Sequence, residues 1–136
     1  MSTPKVSLVI PVCNAGLYLK DLLTSIASQS FHDFEVVFID DGSVDESPAM
    51  LDQFCAEEDR FQVPHIPNGG KYLARSIGID LSKGRYVAFA DSDDVLCDSF
   101  LEKLIQTAER TGADLTVCGF VREVMNSSSK AYRNPI

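Results

Sequence analysis

The chain has 136 residues, a hydrophobic fraction of 45% and a mean hydropathy near zero, which fits one globular domain and excludes a disordered chain. Twelve Lys and Arg against twenty Asp and Glu leave a formal charge of −8. Non-specific binding to nucleic acid is therefore disfavoured, and an anionic ligand would need a metal or local backbone donors.

Val6 to Ile10 is an aliphatic run closed by Pro11, which predicts a first strand buried on both faces. Asn14-Ala15-Gly16 turns the chain. Leu19, Leu22, Leu23, Ile26 and Ala27 then recur at helical spacing, predicting a helix that stops near Gln29-Ser30. Phe34 to Ile39 reads as a second strand ending in Asp40-Asp41-Gly42-Ser43. The next helix has two candidate starts: Asp45 as N-cap, or Ser47 as cap with Pro48 at the first helical position. Its apolar stripe is Met50, Leu51, Phe54 and Cys55.

Phe61 to Ile66 is a weaker strand interrupted by Pro64, and Asn68-Gly69-Gly70 is a turn. Lys71 to Ser82 predicts a helix with Leu73, Ile77 and Leu81 inward, stopped by Gly84. Val87 to Ala90 reads as a buried strand that runs into Asp91-Ser92-Asp93-Asp94. Asp98 or Ser99 caps a further helix that carries Phe100, Leu101, Leu104, Ile105 and Ala108 on one face and stops at Gly112. Leu115 to Val121 predicts a last strand, and the stretch from Asn126 onward reads as a loop or a cut end.

Cys13, Cys55, Cys97 and Cys118 form no CxxC pair, so zinc spacing is absent. Three of them lie in or beside apolar runs, which suits reduced, packed thiols and a cytoplasmic location. The N-terminus has no secretory pattern, and no stretch approaches a membrane span. His32 and His65 are isolated in sequence from any partner that would make them catalytic.

Strands alternating with helices predict an α/β fold: a Rossmann-like, mainly parallel sheet flanked by helices, with ligands beyond the carboxyl ends of the strands. Three strands bring notable residues to that edge: Pro11-Val12-Cys13-Asn14, Asp40-Asp41-Gly42-Ser43 and Asp91-Ser92-Asp93-Asp94. The helix before the last of them adds Lys71 and Arg75. Asp41 is placed to accept from a nucleobase or ribose, while Asp40 and Asp41 are equally suited to an Asx turn. Asp91, Ser92 and Asp93 can hold Mg²⁺ or Mn²⁺ against a diphosphate; the bland alternative is a solvated acidic turn that caps the following helix. Arg75 can pair with a phosphate or with one of the aspartates. Neither GxGxxG nor GxxxxGK[ST] is present.

The series Val6 to Ala15, Ser25 to Phe31, Phe34 to Ser47, Asn68-Gly69-Gly70, Ala74 to Gly78, Gly84-Arg85-Tyr86 and Asp91 to Asp94 resembles the start of the inverting glycosyltransferase family with the GT-A fold. The resemblance runs to about Val121. It implies a nucleotide-sugar-binding subdomain over 1–121 and a tail or truncated connection over 122–136. Pro11, Cys13 and Asn14 would lie along the base, and Asp41 would accept from it. Gly70, Lys71 and Arg75 would line the nucleotide. Asp91 and Ser92 would sit by the ribose and diphosphate, and Asp93, with Asp91, would be the metal ligand.

The implied reaction is metal-dependent transfer of a sugar from a nucleoside diphosphate, expected to be UDP, to a saccharide or lipid-linked saccharide hydroxyl in polysaccharide biosynthesis. Expected with it are no nucleic-acid partner, a cytoplasmic place at the inner face of the plasma membrane with peripheral membrane association, and a dimer. Cys13 stands where the family usually has an aromatic ring, and Ser76 replaces a common Asn. Family members are usually longer, and no residue here matches their general base, so the chain is expected to be a fragment or a natural truncation. A non-catalytic nucleotide-binding or interaction module is the alternative. A nucleotidyltransferase is a weaker one, since Pro11 to Gly16 has no Lys or Arg.

Overall fold

The computed structural model describes residues 3–122 and 132–134. The main sheet contains β1 (Val6–Val12), β2 (Phe34–Asp41), β3 (Phe61–Gln62), β4 (His65–Ile66) and β5 (Tyr86–Phe89). Its order is β3-β2-β1-β5, with β4 also on β2, and every pairing is parallel. Crossovers through α1 (Gly16–Ala27) and α2 (Ser47–Ala56) step the chain one way across the sheet. The crossover through α3 (Lys71–Leu81) carries it back past β1 to β5. The strand order therefore reverses beside the carboxyl end of β1, where parallel sheets open a crevice.

One face of the sheet carries Val6, Leu8, Ile10 and Val12 of β1 and Phe34, Val36 and Phe38 of β2. They pack with Leu19, Leu22 and Ile26 of α1, Leu51 of α2, and Leu101 and Ile105 of α4 (Phe100–Thr111). The other face carries Val9, Val37 and Ile39 under Ala74 of α3. Both β1 and β2 are buried along their whole length, as their aliphatic runs predict. The first strand does not stop at Pro11. Val9 C=O accepts from Ala90 N–H, so Pro11, two residues on and on the same flank, places its missing N–H beyond the end of β5.

Several expectations need correction. β5 is not buried on both faces: Val87 and Phe89 are 38% and 47% exposed, because α3 lies over β1 and β2 and leaves this edge strand open. On α3 Ala74 and Gly78 are buried and Ile77 packs partly buried against the sheet, as expected of it, while Leu73 and Leu81 are exposed. A Cβ on Gly78 would collide with the Val9 side chain, so this helix sits too close to the sheet for a leucine stripe.

The predicted strand over Leu115 to Val121 reduces to β6 (Phe120–Arg122), paired antiparallel with β7 (Tyr132–Asn134) in a separate two-stranded sheet. Leu115 and Val117 alternate as a strand would, but 115–119 gains no ladder and both side chains are exposed. Within the predicted loop of the tail, Tyr132–Asn134 is strand, and 123–131 and 135–136 lie outside the described residues. Gly112 ends α4 at φ 67, as expected of a glycine stop. No helix of the described residues is long and apolar enough to cross a membrane.

Candidate functional site

Successive residues at the end of β2 face opposite sides of the sheet, and this gives Asp40 and Asp41 different work. Asp40, 3% exposed, points toward α2. Its Oδ1 accepts Ser43 N–H at 3.1 Å, which is the Asx turn, and its Oδ2 lies 2.6 Å from His65 Nδ1. Asp41, 4% exposed, points toward α3. Its two oxygens accept the N–H groups of Gly69 at 2.8 Å and Gly70 at 3.1 Å. Asn68 returns the contact by donating from Nδ2 to Asp41 C=O at 3.1 Å. Gly42 completes the junction at φ 70, where a Cβ would lie 2.7 Å from Asn68 N.

The end of β1 meets this junction. Pro11 is buried, Cys13 and Asn14 are exposed, and Asn68 Nδ2 lies 3.5 Å from Cys13 Sγ. Asn14 adopts φ 50, accepts Val44 N–H at 2.8 Å and donates its own N–H to Ser43 Oγ at 3.0 Å. α1 has no side-chain cap of its own. Its free N–H groups are satisfied from the next crossover: Ala15 N–H donates to Ser47 Oγ and Gly16 N–H to Asp45 Oδ2, each at 3.0 Å. Asp45 Oδ1 also accepts Ser47 N–H at 2.9 Å. Neither candidate is the N-cap of α2: that position is Glu46, Ser47 is the first helical residue with Pro48 after it, and Asp45 holds the N–H groups that open both helices. Burial pushes the Asp45 carboxyl up, but hydrogen bonds from Ser47 and Gly16 outweigh it and hold the group below its ordinary value.

Opposite these loops, Lys71 is exposed at the first position of α3, and one turn further on Arg75 Nη2 pairs with Asp91 Oδ1 at 3.1 Å. Asp91 and Asp94 close a tight turn: Asp91 N–H donates to Asp94 Oδ2 at 2.8 Å, and Asp94 N–H to Asp91 C=O at 3.0 Å. Asp94 is nonetheless solvent-accessible at its rim, and burial of its inner side together with the Asp91 and Asp93 charges pushes its carboxyl up. Ser92 is half-buried and Asp93 exposed. An open cavity of about 370 Å³ lies between Arg75, Phe89, Ala90, Asp91 and Asp94.

The segment after this turn is fastened to α1. Leu96 N–H donates to Ser25 Oγ at 3.0 Å, and buried Gln29 donates to Cys97 C=O at 2.8 Å and accepts from Leu101 N–H at 3.1 Å.

Among the described residues no three His, Cys, Asp or Glu side chains converge on a closed metal cage. The set that is present suits a different arrangement. Mg²⁺ or Mn²⁺ shared with a diphosphate takes one or two protein carboxylates, and Asp91 and Asp93 can supply them.

All the predicted site residues thus lie at one end of the sheet: Pro11 near the end of β1 with Cys13 and Asn14 just after it, Asp41 as the last residue of β2, Gly70, Lys71 and Arg75 at the start and in the second turn of α3, and Asp91, Ser92 and Asp93 after β5. Sequence reasoning missed Gln29, Asn68 and His65. Asn68 was visible only as part of a turn. His65, taken as isolated, has carboxylates at both ring nitrogens, Asp40 and Asp52, which sit 25 and 13 residues away in other elements. The thiols also need correction: all four are free, and Cys13, Cys97 and Cys118 are exposed, since they sit on loops next to the apolar runs and not inside them.

A family model described as glycosyl transferase family 2 matches residues 7–135. Glycosyltransferase GlyG of Streptococcus pneumoniae serotype 4 is 34% identical over 113 residues, covering 82% of this chain and 38% of GlyG. The uncharacterized glycosyltransferase EpsJ of Bacillus subtilis is 30% identical over 132 residues, covering 97% of this chain and 38% of EpsJ. The chain therefore spans little more than a third of the length of these relatives. The crystal structure of S. aureus TarS 1-349 in complex with UDP-GlcNAc superposes with a TM-score of 0.75 at 29% identity, covering 81% of this chain and 32% of that one. The mannosyltransferase PcManGT of Pyrobaculum calidifontis, solved with GDP-Man and Mn²⁺, shares the fold with a TM-score of 0.71 at 19% identity, covering 79% of this chain and 33% of its own.

Proposed function

The chain belongs to glycosyl transferase family 2, and from that premise we propose that it is the donor-binding portion of a glycosyltransferase that takes a sugar from a nucleoside diphosphate, with UDP as the nucleotide. The observation that carries this reading is the Arg75–Asp91 pair at the reversal of strand order. It sets a guanidinium, a carboxylate turn and an open cavity side by side, which supports a diphosphate site with a cationic partner and a metal beside it. The TarS structure with UDP-GlcNAc supports the choice of nucleotide.

In this reading, the base lies along Pro11, Cys13 and Asn14. Asp41 offers its remaining acceptor capacity to the base while its fixed hydrogen bonds hold Gly69 and Gly70. Gly70, Lys71 and Arg75 line the nucleotide, and Ser92 with Asp91 meets the ribose and diphosphate. Asp93, with Asp91, would hold Mg²⁺ or Mn²⁺, which supplies Lewis-acid stabilisation to the nucleoside diphosphate as it leaves. Inverting transfer also needs a base to deprotonate the acceptor hydroxyl, and we assign that role outside this chain.

We assign 1–121 to the donor-binding unit and 122–136 to the connection that follows it. The acceptor is a saccharide or lipid-linked saccharide in polysaccharide synthesis, worked on at the inner face of the plasma membrane. The open apolar flank of Val87 and Phe89 supports self-association of the 136-residue chain, which sedimentation across concentrations reads directly.

The test is calorimetric titration of UDP with Mn²⁺, then with EDTA, on the wild type and on Asp93→Ala. Metal-dependent binding that disappears in Asp93→Ala supports the donor site. Absence of binding in every condition favours a non-catalytic module instead.

A further inference from the structure

His65 stands on β4 between two carboxylates from different elements. Its Nδ1 lies 2.6 Å from Asp40 Oδ2 at the end of β2, and its Nε2 lies 2.7 Å from Asp52 Oδ1 on α2. An ionised carboxylate only accepts hydrogen bonds, so both ring nitrogens must donate for both contacts to hold. A neutral imidazole has one N–H and would turn a lone pair toward the other carboxylate. The geometry therefore selects the imidazolium.

Asp40 is the more consequential partner. It is buried, its other oxygen holds Ser43 N–H, and it is bonded in sequence to Asp41, whose carboxylate holds Gly69 and Gly70. We propose that His65 is a positioning residue for the donor site: as an imidazolium it ties Asp40 to α2 and so fixes the strand end from which Asp41 organises the 68–70 turn. The effect on nucleotide affinity rests on the donor-site reading; the bridge itself does not.

The charged groups that face the ring are Asp40 from β2 and Asp52 from α2, and the side chain is 41% exposed. The hydrogen bond to Asp40, then the one to Asp52, raise the His65 pKa above its ordinary value against a smaller opposing effect of burial. The bridge is therefore present below the ring's ordinary value, as long as both carboxylates are ionised, and is lost as pH rises through the raised value.

Nitrogen-15 NMR of the imidazole and amide spectra, recorded on the whole chain from about pH 6 to about pH 9, test this without nucleotide. The expected result is a His65 midpoint above the ordinary 6.5, with both ring nitrogens protonated below it and the amide signals of Ser43, Gly69 and Gly70 moving along the ring's titration curve. His65→Gln, which can donate only through its amide, should abolish that shared transition. Asp52→Asn changes an exposed carboxylate and leaves the fold intact; it should lower the midpoint of the ring and of the three amides together. A midpoint at or below the ordinary 6.5, or amides that ignore the ring's titration, overturns the proposal.

UDP titrations across the same range separate the two readings. Affinity that falls severalfold as the ring deprotonates in the wild type, and that is flat in His65→Gln, supports both. Failure of UDP to bind at any pH removes the donor reading, while the amide transitions still decide the bridge.

Discussion

Asp41 and Gly70 are joined across two loops by a 3.1 Å hydrogen bond from the Gly70 N–H to the Asp41 carboxylate, and Gly70 is the residue from which α3 starts. The end of β2 is thus the N-terminal cap of α3, a helix with no side-chain cap of its own. A carboxylate there also meets the positive end of the helix dipole. Asp41→Asn keeps one acceptor and replaces the other with a donor that opposes an N–H. It should lower unfolding free energy by about 1–2 kcal/mol in a urea titration and weaken UDP binding through displacement of Gly70 and Lys71.

Arg75→Ala separates binding from stability. The Arg75–Asp91 pair is part-exposed, so its loss should change unfolding free energy by less than about 1 kcal/mol. If the guanidinium meets a diphosphate, UDP affinity should fall about tenfold, equivalent to about 1.4 kcal/mol, in the same calorimetric assay. Lysine at this position should recover only part of the loss, because it lacks the planar fork.

Asp45 predicts an acid-sensitive helix start. Its folded carboxyl is held below the ordinary value of 3.8, so its contribution is present above that pH and is lost as pH falls through the depressed value. Asp45→Ala should cost about 1 kcal/mol at neutral pH. The difference in Tm between wild type and variant, followed by circular dichroism from neutral to acid pH, should shrink only below about pH 4.

Thiol labelling should divide the four cysteines. Cys55 is half-buried, and burial first, then the Asp52 charge, pushes its thiol up to about 11. It should resist iodoacetamide near neutral pH while Cys13 and Cys97, both exposed, react. Cys118, exposed but raised by desolvation, should be slower than those two. Mass spectrometry of the labelled chain reads all four, and UDP with Mn²⁺ should slow Cys13 alone if the base lies against it.

The parallel sheet and the clustering of the three strand ends were legible because β1 and β2 are continuous aliphatic runs that terminate in polar residues and alternate with helices. The inward face of α3 was not. Leucine at helical spacing points to a core stripe, whereas the requirement at Gly78 is closeness to Val9, which leaves no apolar signature. The openness of β5 was hidden for a related reason: its sequence is as apolar as that of a central strand, and exposure is set by what covers it. In the site, single residues at strand ends were readable from their charge. Pairings such as His65 with Asp40 depend on which strand neighbours which, and no local window contains that information.

The borrowed cap of α1 sets an order of events during folding. The groups that satisfy Asn14, Ala15 and Gly16 lie 29, 32 and 29 residues further along the chain. A nascent chain that has emerged only through Ala27 holds a twelve-residue helix with free amides at its start, too short to persist in water without packing. Lasting helicity in this segment must wait until β2 has docked on β1 and the turn through Ser47 has closed. Helix formation here is then a late, non-local step, coupled to strand pairing and slowed by the closure of a long loop. Pulse-labelled hydrogen exchange would find the α1 amides protected together with those of β2, and never before them.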